Sequence, residues 1–112
     1  MSKSICLAAL ALAMSVPAAA HQAPSGWSYS EACCSSRDCS PVHEAAIMEA
    51  PGGYSVVVMP GTHPMVLADG EPVREFVPYG DRRILTSGDE KRHACIGHGG
   101  RVLCLYVPPS GV

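Results

Sequence analysis

His93-Ala94-Cys95-Ile96-Gly97-His98-Gly99-Gly100-Arg101-Val102-Leu103-Cys104-Leu105-Tyr106-Val107 reads as a β-hairpin. Two largely apolar arms flank Gly99-Gly100, and adjacent glycines supply the positive φ angles of a type I′ turn. A two-residue turn there sets His98 opposite Arg101, Gly97 opposite Val102, Ile96 opposite Leu103 and Cys95 opposite Cys104. Bonded and non-bonded pairs alternate from the turn, which makes Cys95 and Cys104 a non-bonded pair with Cα atoms about 4.5 Å apart. A disulfide spans that distance. In this register His93, Cys95, Val102, Cys104 and Tyr106 share one face. Ala94, Ile96, Leu103, Leu105 and Val107 take the other, which is expected to pack on the core.

The partners for these two cysteines lie in Cys33-Cys34-Ser35-Ser36-Arg37-Asp38-Cys39. Adjacent cysteines such as Cys33 and Cys34 rarely bond each other, because the small ring strains the peptide between them. Two outcomes compete: a Cys95–Cys104 bond across the hairpin, or long bridges from each to the 33–39 group. Chain entropy gives roughly 2.7 kcal/mol for a ten-residue loop against roughly 4.3 for one of about sixty. Energetics therefore favours the long bridges and local geometry the hairpin bond, and the hairpin bond is the narrow expectation. Five cysteines in this part of the chain are an odd number, so two bridges leave one thiol or one bond to a second chain. Cys34-x₄-Cys39 has no echo at zinc spacing, and no C-x-x-C redox motif is present.

Working outward, residues 1–20 have the three parts of a signal peptide: Lys3, an apolar run over 5–16, and Pro17-Ala18-Ala19-Ala20 before the cleavage point. The run is too short to span a bilayer, which takes about 20 residues. No later run is longer. Residues 21–112 then form one small domain. Export implies oxidising conditions, where cysteines are read first as disulfides. Residues 21–30 are an irregular leader around Pro24 and Gly26, with Trp27 expected to lie over one edge of the core. Residues 42–49 and 54–59 read as a hairpin about Pro51-Gly52-Gly53, 65–68 and 73–77 as short strands, and 81–91 as a charged loop anchored by Ile84 and Leu85. The fold expected is mainly β: a small disulfide-stapled antiparallel β domain with an irregular N-terminal leader. Such a domain buries only about 60–65% of its unfolded surface, so cross-links matter.

Charge and motifs narrow the function by exclusion. The formal net charge is −2 and no basic block occurs, which argues against nucleic acid. No catalytic triad, paired acids, phosphate loop or cofactor fingerprint is recognisable. A metal reading attaches to His21. Cleavage after Ala20 would leave its α-amine and imidazole free to chelate copper together, with His43, His63, His93 or His98 as a second ligand. That arrangement resembles the histidine brace of exported copper proteins and copper-dependent polysaccharide oxygenases, although the flat aromatic surface of those oxygenases is absent.

A broader resemblance spans most of the chain after residue 20. Gly26-Trp27-x-Tyr29, Cys33-Cys34-x₄-Cys39, Gly53-Tyr54, Val77-Pro78-Tyr79-Gly80-Asp81, His93-x-Cys95 and Cys104-Leu105-Tyr106-Val107-Pro108-Pro109 together resemble a group of small exported bacterial proteins of uncharacterised function. Where that group tends to read Ser-Pro-Asp-Gly, this chain has Ser87-Gly88-Asp89-Glu90. The resemblance implies no activity. The function expected is an exported, periplasmic or secreted, binding or structural module without an enzymatic site. The alternatives are a copper-binding protein using His21 and an inhibitor of another exported protein. The partner would be another protein or a disulfide-linked second copy.

Overall fold

The computed structural model describes residues 22–34 and 37–109; the signal-peptide pattern at 1–20 and His21 lie outside them. Seven strands follow in order: β1 (Cys39–Val42), β2 (Ile47–Ala50), β3 (Gly53–Val58), β4 (Val73–Pro78), β5 (Ile84–Thr86), β6 (Arg92–Ile96) and β7 (Val102–Val107). They form a three-stranded sheet in the order β2-β3-β4 and a four-stranded sheet in the order β1-β6-β7-β5. All pairings are antiparallel except β5 with β7, which is parallel. The mainly β reading of the sequence therefore holds.

Alternation along the strands builds the core. In β3, Tyr54, Val56 and Val58 are buried while Ser55 and Val57 are only partly so. They meet Ile47, Val73 and Val77 of their own sheet and Ala94, Ile96, Val102, Leu105 and Val107 of the four-stranded sheet in one apolar cluster. Ile47, Ile96 and Leu105 are fully buried, which contributes about 1.5–3 kcal/mol for each side chain. A second cluster lies on the opposite face of the four-stranded sheet. There Cys95, Cys104 and Tyr106 pack against Ala23, Tyr29, Cys33 and Cys34, with Trp27 across them. The leader thus covers the far face of that sheet, and Trp27 takes the lid position expected of it.

The hairpin register is correct along its length and shifts near its tip. His93 faces Tyr106, Ala94 faces Leu105 and Cys95 faces Cys104, but Ile96 faces Val102. The loop is one residue longer than a two-residue turn: the Gly97 amide donates to the Arg101 carbonyl at 2.9 Å, leaving His98, Gly99 and Gly100 between. Both Gly99 (φ 85°) and Gly100 (φ 81°) sit in the left-handed region. A bulge between Cys95 and Ile96 and their partners absorbs the extra residue. Val102 consequently joins the aliphatic core and Leu103 moves to the cysteine side, reversing the faces read for these two from an unbroken ladder.

The disulfides correct the hairpin expectation. They join Cys33 to Cys104 and Cys39 to Cys95, not Cys95 to Cys104. β1 lies beside β6 with Cys39 directly opposite Cys95, Cα atoms 3.9 Å apart, so Cys95 has a facing cysteine on either flank. The bridges span separations of 71 and 56 residues. Loops of that size limit the unfolded chain by about 4 kcal/mol each in the chain-entropy model, the term that favoured them.

Other boundaries move as well. Residues 42–46 are not strand throughout: Val42 ends β1, and Glu44–Ala46 is a 3₁₀ turn capped by His43. The expected strand at 65–68 is a tight loop with one bridge, His63 to Val66. β5 lies in the stretch read as a charged loop, and β1 is a strand not expected from the sequence, taking Val42 from the 42–49 arm. Arg83 clips the two sheets together at one edge. Its guanidinium donates to Glu75 of β4 at 2.7 Å, to Asp81 at 3.0 Å and to the Val102 carbonyl of β7 at 3.0 Å.

Candidate functional site

The densest group of chemically capable side chains lies where the leader crosses β6. His93 is completely buried on the cysteine face of β6. Its Nε2 is 2.8 Å from Asp89 Oδ1, and its Nδ1 is 2.8 Å from the Tyr29 hydroxyl. A carboxylate only accepts, so Nε2 carries a proton, and in the neutral ring Nδ1 accepts from the Tyr29 O–H. The result is a carboxylate–imidazole–phenol relay built from three separate stretches.

Each element is placed by local causes. The turn at 87–91 is folded by Asp89 itself: its carboxylate accepts from the Lys91 amide at 2.9 Å and from Ser87 Oγ at 2.9 Å, while its own amide donates to Ser87 Oγ at 3.1 Å. The second carboxylate oxygen accepts from Ser25 Oγ at 2.7 Å and Trp27 Nε1 at 3.0 Å, which ties the leader to this turn. Burial alone would raise the Asp89 pKa. The hydrogen bonds from His93, Trp27, Ser25 and the Lys91 amide outweigh it and hold the carboxyl far below the usual range. Gly88 beside it lets the Trp27 ring approach closely, since a Cβ there would stand 2.5 Å from that ring.

Aromatic rings close the site. Trp27 stands edge-on to Tyr29, His93 and Tyr106 at centroid distances of 5.0, 4.9 and 5.2 Å. The Tyr106 hydroxyl accepts from the Ser30 amide at 2.8 Å. Burial first, then the neighbouring Cys34, Asp89 and Tyr106, push the Tyr29 phenol above its ordinary pKa. The order carboxylate–imidazole–hydroxyl is that of a nucleophile relay. Here the hydroxyl points into the protein: Tyr29 is 3% exposed, so no substrate reaches it. Two surface hollows are lined by other residues, one by Pro41, Glu44, Glu90 and Arg92, the other by Arg37, Pro64, Leu67 and His98.

The candidate copper partners are dispersed. His21 lies outside the described residues. His43 is exposed and caps the 3₁₀ turn, with Nδ1 accepting from the Ala45 amide at 3.0 Å. His63 is buried between the Met65 amide, which donates to Nδ1, and the Ala94 carbonyl, which accepts from Nε2. His93 has both nitrogens engaged in the relay, and His98 is exposed on the hairpin loop. Among the described residues no group of three or more His, Cys, Asp or Glu is placed to hold a metal ion. Cys33, Cys39, Cys95 and Cys104 are used in bridges, and Cys34, in neither bridge, is buried under the leader. An interchain bond at Cys34 would require the leader to open.

Sequence alone assigns Asp89 and Tyr29 no functional role, although both fall within the motifs of the resemblance. The weak signal was Ser87-Gly88-Asp89, where a small residue, a glycine and an acid mark a self-bonded turn. Compared with family models, curated proteins and solved structures, the chain has no match. Among the described residues no helix is long and apolar enough to cross a membrane.

Proposed function

We propose that the protein is an exported binding module, periplasmic or secreted, whose contact surface is the outer face of the three-stranded sheet. The carrying observation is a row across that face: Met48 of β2 pairs with Ser55 of β3, which pairs with Phe76 of β4. Met48 is 50% and Phe76 48% exposed, with Tyr79, also half-exposed, just beyond β4. Large apolar side chains grouped on an open face favour a protein partner. The far face of the other sheet is already covered by the leader, and the Tyr29 and His93 side chains of the relay are buried. The signal-peptide pattern at 1–20 and the two bridges support export. The resemblance to small exported proteins agrees with this reading and assigns no activity.

Site-specific photocrosslinking tests it. A benzophenone side chain is placed at Phe76 in the producing cell, with Glu71, exposed and off the row, as control. A discrete protein adduct from position 76, weakened by Met48→Ser, is the expected result. Equal labelling from both positions, or none from either, would reject the proposed surface.

A further inference from the structure

The relay contains more than a structural tie requires. A buried phenol and a buried imidazole stand in line with a partly exposed carboxylate at 2.8 Å and 2.8 Å, with an indole beside them as the part-exposed ring. We propose that this group is a one-electron redox site in which Tyr29 is the resting place of the oxidising equivalent and His93 takes its proton.

A buried phenol whose pKa is raised does not release its proton unaided, and an electron lost without the proton would leave a buried cation. The geometry removes that obstacle. An outer-sphere one-electron oxidant takes an electron from the cluster and is itself reduced by one electron. The Tyr29 hydroxyl proton crosses the 2.8 Å hydrogen bond to His93 Nδ1, breaking O–H and forming N–H. The products are a neutral tyrosyl radical, an imidazolium and the reduced acceptor, so charge and atoms balance. Asp89 keeps its proton-free carboxylate on Nε2–H and stabilises the imidazolium in place. Reduction by one electron returns the proton to Tyr29 and restores the starting state.

Trp27 is the entry point. It alone of the ring cluster is partly exposed, and its ring lies 5.0 Å from Tyr29. Tyr106 is as near to Trp27, at 5.2 Å, but its hydroxyl accepts from the Ser30 amide and faces no comparable base. The equivalent therefore settles on Tyr29. The Cys33–Cys104 bridge packs in the same cluster, so the site draws oxidation toward a ring that recovers and away from the sulfurs beside it.

The test uses disulfide-intact protein and flash-generated tris(bipyridine)ruthenium(III) as acceptor, with EPR of rapidly frozen samples. The expected result is a tyrosyl signal that is lost in Tyr29→Phe. It is kept in Tyr54→Phe/Tyr79→Phe/Tyr106→Phe, where Tyr29 is the sole tyrosine of the chain's four. Its formation is slower in heavy water, because the proton moves with the electron, and slower again in His93→Gln. Should either variant of the relay fail to fold, the triple variant and the parent's isotope effect still decide. A signal that survives in Tyr29→Phe, a triple variant giving only an indolyl radical, or formation indifferent to heavy water would each overturn the proposal.

Discussion

Asp89 collects hydrogen bonds from Ser25, Trp27, Ser87, His93 and the Lys91 amide, and so joins the leader, a turn and β6 through one carboxylate. Asp89→Asn keeps the shape but replaces one accepting oxygen by a donor, leaving partly buried N–H and O–H donors facing an N–H group. Unsatisfied groups of this kind cost about 1–3 kcal/mol, so urea midpoints should fall accordingly and Trp27 emission should shift to the red. An unchanged midpoint would mean that the leader is held without Asp89, by its apolar contacts, the Cys33–Cys104 bridge and its other hydrogen bonds. His63 makes the complementary case. Burial lowers its pKa, and the hydrogen bond to the Ala94 carbonyl only partly offsets this. The folded state therefore binds fewer protons than the unfolded chain once pH falls below the ordinary histidine value of about 6.5. Stability should decline as pH drops from 7 toward 5, and His63→Gln, which keeps a donor and an acceptor without the charge, should flatten that decline. Melting temperatures of both proteins across this interval check it, and a parent whose stability is level from pH 7 to 5 would contradict it.

At the scale of elements, two glycines separate backbone limits from side-chain limits. A Cβ on Gly53 would stand 2.4 Å from the Val77 carbonyl oxygen across β3 and β4, and a strand pair cannot yield locally. Gly53→Ala should lower stability by the 1–3 kcal/mol, roughly, that overpacking costs, without moving Trp27 emission. Gly88→Ala instead meets the Trp27 ring, which can swing outward, so it should alter Trp27 emission with a smaller loss of stability. If both substitutions behaved alike by calorimetry and fluorescence, the lid would be as rigid as the sheet. The same contrast explains which elements were legible. β3 and the 93–107 hairpin announced themselves because alternation and paired glycines act over a few neighbouring residues. β1 escaped notice because it is a four-residue edge carrying Pro41, and β5 because three residues among charged neighbours hold no period. The bulge was invisible since one loop residue more or less leaves the composition unchanged. The relay joins Tyr29 to His93 across 64 residues, a distance over which no spacing rule operates.

Across the whole molecule, the four-stranded sheet has apolar clusters on both faces, and the two bridges fasten the second of these from different directions. Cys39–Cys95 ties neighbouring strands that backbone hydrogen bonds already hold in register. Cys33–Cys104 ties the leader, which shows a single bridge of its own between Gln22 and Ser28, onto the centre of the sheet. Both close long loops and restrict the unfolded chain to a similar degree, so either loss should cost about 2–5 kcal/mol, as in other small bridged domains. Their local consequences should differ. Cys33→Ser/Cys104→Ser releases the leader and should speed exchange of amides hydrogen-bonded in it, Ala23 and Cys34 to carbonyls of the same stretch and Ser30 to the Tyr106 hydroxyl, toward that of an open segment. Cys39→Ser/Cys95→Ser should leave those amides protected while global stability falls, because β1 still pairs along β6. Hydrogen exchange with fragment-level readout, after peptide mapping of the non-reduced protein confirms the connectivity, distinguishes the two. A peptide joining Cys95 to Cys104 would overturn the bridge assignment itself. Equal leader protection in both double variants would instead show that Trp27, Tyr29 and the Asp89 hydrogen bonds hold the leader in place without the bridge.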